Sequence, residues 1–119
     1  MALRTNVNKK SAVNRHIRTA AQVLSGAGAI DHVSHTTLFT STGAAQALTL
    51  ADGTTPMIGF RKRIIHAVDG GSGVITAGAA LHLGHSIATI TFTNVRDWVE
   101  LEWDGTNWNV IGYSGVSFA

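Results

Sequence analysis

No cysteine occurs in this sequence, so neither disulfides nor thiolate chemistry contributes, and cysteine usage leaves the redox compartment open. Proline is almost as scarce. The single one, Pro56, follows Asp52-Gly53 in a loop, where it removes no ladder hydrogen bond. No apolar run approaches the ~20 residues that cross a bilayer as a helix. The stretch AAQVLSGAGAI (20–30) faintly mimics a signal-peptide core, but Gln22, Ser25 and the glycines spoil it, and no export signal is expected. Charge is the most telling shortage: 13% of residues are Asp, Glu, Lys or Arg, against about 25% in an ordinary globular chain. Gly, Ala, Thr and Ser take their place. A single domain of 119 residues normally keeps itself soluble with a mixed charged surface, so the shortage points to a surface covered by partners.

The charge that is present is unevenly placed. Residues 1–30 carry Arg4, Lys9, Lys10, Arg15 and Arg18 and no acid, whereas residues 97–104 carry Asp97, Glu100, Glu102 and Asp104 and no base. The division expected is therefore a basic N-terminal arm over 1–30 and a β-domain over 31–119. Val13, Ile17, Ala20, Ala21 and Leu24 are spaced for one helical face, with Gly26 as a stop, so the arm is either a short helix over 11–24 or an extended segment.

From residue 31 the texture is that of strands. TTLFTS (36–41), QALTLA (46–51), RKRIIHAV (61–68), GVITAG (73–78), SIATITFT (86–93), WVELEW (98–103) and WNVIGY (108–113) are separated by glycine and Asp-Gly punctuation. Alternation puts Val99, Leu101 and Trp103 on one side of their strand and Trp98, Glu100 and Glu102 on the other. In SIATITFT it groups Ala88, Ile90 and Phe92 against Ile87, Thr89, Thr91 and Thr93, and TITFTNVRDWVELEW reads as a long hairpin. Such patterning predicts an all-β fold, a single compact antiparallel β-sandwich or jelly-roll-like barrel.

Chemistry-bearing constellations are sparse. The HVSH (His32, His35) and HLGH (His82, His85) pairs share a spacing that diverges on a strand and lack a regular third ligand, so no metal and no cofactor is expected. GGSGV breaks the G-x-S-x-G pattern at its last position, and GAGAID lacks a dinucleotide fingerprint. Glu100 and Glu102, about 7 Å apart along one strand face, superficially suit a retaining glycosidase, but solvated or salt-bridged glutamates are the expected reading. The expectation is therefore a non-enzyme. In GFRKRIIH, Arg61 and Arg63 share one face and Lys62 takes the other, which suits an edge guard or ion pairs to Asp97, Glu100 or Glu102. In WDGTNW (103–108) two tryptophans flank an Asp-Gly turn. Either they form a ligand platform or they are the packed shoulders of a hairpin, and the turn chemistry favours shoulders.

The stretches LTLADG, GFRKRIIHAVDGGSG, FTNVRDWVELEWDG and NWNVIGYSGV, spread over residues 41–118, together resemble small β-structured virion proteins of tailed bacteriophages: capsid decoration (cement) proteins and related head- or tail-fibre modules. The resemblance implies a homotrimeric structural protein on the capsid exterior, made in the host cytoplasm, that docks on the major capsid protein. It implies no direct nucleic-acid partner and no membrane. Arg4, Lys9, Lys10, Arg15, Arg18, Arg61 and Arg63 are the expected protein-interface residues. The alternative is a fibre module in which Trp98, Trp103, Trp108 or Tyr113 reads a host receptor or glycan.

Overall fold

The computed structural model describes residues 20–119. Ten strands follow in chain order: β1 (Gln22–Ser25), β2 (Gly28–Ile30), β3 (Thr36–Thr40), β4 (Gln46–Leu50), β5 (Arg61–Val68), β6 (Gly73–His82), β7 (Ser86–Phe92), β8 (Trp98–Trp103), β9 (Trp108–Ser114) and β10 (Ser117–Phe118). Apart from a 3-10 turn at Thr55–Met57, the described residues form no helix. The all-β class expected from alternation is what the chain adopts.

The strands pair as two five-stranded layers. One runs β1-β3-β5-β8-β9 and the other β2-β4-β6-β7-β10. A short parallel contact between β6 and β9, Leu81 with Trp108 and His82 with Asn109, joins the layers into a nearly closed, flattened barrel. Their inner faces share one core: Phe39, Ile64, Val99 and Leu101 come from the first layer, and Leu48, Ile75, Ile90 and Phe92 from the second. Each of these side chains is fully removed from water. At roughly 1.5–3 kcal/mol per large apolar side chain, this burial is the dominant favourable contribution to folding.

The sheet is not purely antiparallel. β1 with β3, β3 with β5, β2 with β4 and β4 with β6 are all parallel. The chain alternates between layers, β1 to β2, β3 to β4, β5 to β6, so each strand meets its neighbour one full circuit later. A parallel pair needs a long crossover, and here the crossover is a strand in the opposite layer. The result is three stacked β-coils. The second and third repeat at the same interval in both layers, Thr37 opposite Ile64 and Gln46 opposite Gly73. After β6 the coiling stops, and β7, β8 and β9 close the body with antiparallel ladders.

Several local expectations change accordingly. β1 and β2 lie inside the stretch assigned to the basic arm, so the β-body already includes Gln22, and residues 22–24 are strand rather than helix. TITFTNVRDWVELEW is not a hairpin: β7 pairs with β6 and β10, while β8 pairs with β5 and β9. Between them the chain crosses layers at Asn94–Asp97, where Asp97 accepts the amides of Thr93 (3.0 Å) and Asn94 (2.9 Å). Alternation in β7 slips at Ala88. The amides of Ala88 and Thr89 both donate to Ala119, so Ile87 is buried and Ala88 exposed.

Coil stacking brings successive turns into contact. Ser41 donates its amide to Val68, Ser72 to Gly43, and Gln46 to Ser72. The Gly70 backbone lies so close to the Ser41 carbonyl, and Gly71 to that of Gly43, that a Cβ at either position would collide with backbone. Gly70→Ala should therefore lower stability by about 1–3 kcal/mol, as overpacking does. Gly84, at φ +68° with open space around it, should cost about 1 kcal/mol or less. Urea midpoints of the two variants check this ordering, and equal midpoints would contradict the stacked turns.

Candidate interaction surface

Alternation along β5 separates its three cations as expected. Lys62 points inward and is fully buried. Its ammonium donates to Asp31 Oδ1 (3.0 Å), the Ser34 carbonyl (2.8 Å) and Ser34 Oγ (3.1 Å), so all three protons are used. Asp31 Oδ1 in turn accepts from the amides of Val33 and Ser34 and from the Ser34 hydroxyl. Burial pushes the Asp31 carboxyl up, but the hydrogen bonds from Lys62 and Ser34 outweigh it and hold it at about 2. Burial pushes the Lys62 ammonium down, and Asp31 opposes that shift. This clasp ties the loop after β2 to the start of β5. The alternation shows which way Lys62 points, but its acceptors lie 28 and 31 positions away, and no local spacing signals them.

A second buried network lies under the stacked turns. His66 Nδ1 donates to the Asn94 carbonyl (2.8 Å), which leaves Nε2 to accept from the Ser41 hydroxyl (2.8 Å). Ser41 Oγ also accepts the Gly70 amide (2.8 Å). The separation is that of a nucleophile and its base. Neither group reaches solvent, however, with Ser41 2% and His66 0% exposed. The pair fastens the second coil to the third.

The tryptophans of WDGTNW are packed shoulders. Trp103 and Trp108 are registered across the β8–β9 turn, buried, and tilted at 55° with centroids 5.3 Å apart. Trp103 lies on Gly53, where a Cβ would come within 2.6 Å of the ring, and Trp108 Nε1 donates to the Ala51 carbonyl (3.0 Å). The turn is held by Asp104, which accepts the amides of Thr106 (2.8 Å) and Asn107 (2.7 Å) and the Asn109 side chain (2.6 Å). These bonds keep its carboxyl below the usual range. Gly105 supplies φ +101°.

The histidine pairs diverge. His32 meets the Ala51 carbonyl and the Trp108 ring, whereas His35 meets Thr36 and Glu100. His82 ends β6, and the His85 carbonyl accepts the Leu83 amide in the turn that follows. Among the described residues no three His, Cys, Asp or Glu side chains gather where a metal could sit, and no pocket opens.

What remains outside is a patterned sheet face. On the outer side of the first layer Arg61 pairs with Glu102 (3.2 Å) and Arg63 with Glu100 (3.5 Å). These are the acids expected, reached within the same chain. The Arg63 guanidinium also covers the Trp98 ring at 5.1 Å. Beside these ion pairs an apolar row crosses four strands in register, from Val23 through Leu38 and Ile65 to Trp98. Val23 is 72% exposed, and the other three are partly exposed. The row was invisible in the sequence because its members lie 15, 27 and 33 positions apart and meet only through strand pairing, parallel for the first two steps and antiparallel for the third. On the opposite layer the outward rows Ala29-Thr49-Thr76-Thr89 and Ala47-Val74-Thr91-Ser117 carry no charge, which accounts for much of the charge shortage. Arg4, Lys9, Lys10, Arg15 and Arg18 lie outside the described residues. The sequence matches no protein-family model and no curated protein.

The clasp has a pH signature. Because the folded Asp31 value of about 2 lies below the ~3.9 of an unfolded aspartate, its contribution is complete above pH ~4 and is lost as pH falls toward 2. Unfolding midpoints measured from pH 5 to pH 2 should fall less steeply for Asp31→Asn than for the parent protein. Identical acid slopes would show that the clasp does not govern acid stability.

Proposed function

We propose that this chain is a structural subunit of a tailed-phage virion. It decorates the exterior of the capsid and stabilises it by docking on the major capsid protein as a homotrimer. The observation that carries a structural role is the outward apolar row Val23-Leu38-Ile65-Trp98, set beside Arg61 and Arg63 on the outer sheet face. A contiguous apolar row left only partly shielded favours association. The resemblance of residues 41–118 to decoration proteins supplies the partner. The basic stretch holding Arg4, Lys9, Lys10, Arg15 and Arg18 supplies a cationic docking element for an acidic shell surface.

The fibre-module reading has less to work with. Of the four rings it relied on, Trp103 and Trp108 are buried and Trp98 lies under Arg63, which leaves Tyr113, 51% exposed. A glycan platform needs a free ring face.

Mature, undecorated capsids mixed with the full-length protein and sedimented test the proposal. The protein should pellet with capsids at micromolar concentration. Arg15→Glu with Arg18→Glu should weaken that binding by roughly ten-fold or more, the loss of two charge contacts, while leaving the melting temperature unchanged. Parent protein that stays in the supernatant would contradict the decoration role. Undiminished binding by the double variant would remove the arm from it.

A further inference from the structure

The outer face of the first layer is divided down its middle. β5 presents Arg61, Arg63 and Ile65, while β8 presents their register partners Glu102, Glu100 and Trp98. One strand is basic, its neighbour acidic, and the apolar pair closes one end. A two-fold axis lying in this face, parallel to the strands and midway between them, exchanges β5 with β8. It sets Arg61 of one copy over Glu102 of the second, Arg63 over Glu100, and Ile65 over Trp98. We propose that two copies of this chain pack face to face through this β5–β8 surface. This inference does not rest on the decoration reading: the dimer forms through the same face in the free protein, and capsid docking competes with it.

Three observations favour a second copy as the occupant. Complementarity is built into one chain, so the face needs no foreign partner to match its charge order. Such an isologous contact closes on itself and does not propagate. The Arg61 and Arg63 side chains stay 58% and 42% exposed beside their carboxylates, so both ion pairs can be shared with a second copy. Finally, Arg63 in the middle of the face lies over the Trp98 ring at its end, and arginine and tryptophan are residue types that carry much of the binding energy at interfaces.

About this axis four strands of each copy overlap, β3, β5, β8 and β9; at about 4.8 Å apart and about 17 Å long they cover roughly 330 Å² per copy. The total of about 650 Å² is below the roughly 1,200 Å² of a standard stable interface, so the dimer should be weak and transient, on the order of 100 µM, and salt-sensitive. It also differs from the three-fold arrangement the resemblance implies, and molecular mass distinguishes the two.

Sedimentation equilibrium of the full chain from about 1 to 500 µM should show a monomer–dimer equilibrium that weakens in about 1 M salt. Arg63→Glu and Glu100→Arg, each folded by circular dichroism, should each be monomeric over that range, because like charges then face each other. Mixed in equal amounts, the two should form a heterodimer at least ten-fold tighter than either variant with itself. Carrying both changes in one chain should restore the homodimer. A parent protein that stays monomeric or forms a trimer would overturn the proposal. So would single variants that dimerise like the parent, or a mixture that stays monomeric.

Discussion

The turn Ser41–Ala45 rests directly on the turn Asp69–Ser72, carbonyl against glycine backbone, and the layout of the molecule follows from that contact. A chain that changes layer at every turn can pair its strands only with those of the next circuit. The circuits must therefore stack at the spacing of a β-ladder, about 4.8 Å, and the turns must stack with them. No side chain fits between backbones at that distance, which is why Gly70 and Gly71 stand there. The Ser41–His66 network sits just below and satisfies the polar groups that the close approach removes from water. On the other side of the coils, the Lys62–Asp31–Ser34 clasp does the same for the loop after β2.

The surface inherits its pattern from this stacking. Parallel ladders place residues from separate circuits side by side, so like residues line up into rows across the strands. One layer carries rows of Ala, Thr, Val and Ser, and the other an apolar row beside two ion-pair rows. On the outer face of the first layer the charge is concentrated into two paired rows, Arg61 with Glu102 and Arg63 with Glu100. Assembly through this face, on a shell or on a second copy, is what we propose for it.

Seven of the ten strands were legible in the sequence, because Thr, Val, Ile and aromatic residues alternate between glycine breaks from residue 36 onward. The inward and outward sides of β5 and β8 were legible for the same reason, including the opposite facing of Lys62 from Arg61 and Arg63. β10 was not, being two residues long, and neither were β1 and β2, since QVLS and GAI are short, and Gly28 and Ala29 have little strand preference of their own. The latter two are strands because β3 and β4 offer them edges. The parallel pairing was hidden too. Alternation reports which side a residue faces but not which strand lies beside it, and the coils share spacing more than residues: Phe39 in one stands where His66 stands in the next. The candidate surface suffered the same fate, with Arg61, Arg63, Glu100 and Glu102 recognisable singly and the row through Val23, Leu38, Ile65 and Trp98 visible only in the fold.

Inter-strand nuclear Overhauser contacts in the labelled protein address the stacked coils most directly. The account predicts contacts of Leu38 with Ile65 and of Leu48 with Ile75, advancing in the same direction along β3 and β5 and along β4 and β6. Contacts advancing in opposite directions along either pair would mean antiparallel neighbours. The stacked turns, the apolar row and the face built on them would then all be wrong.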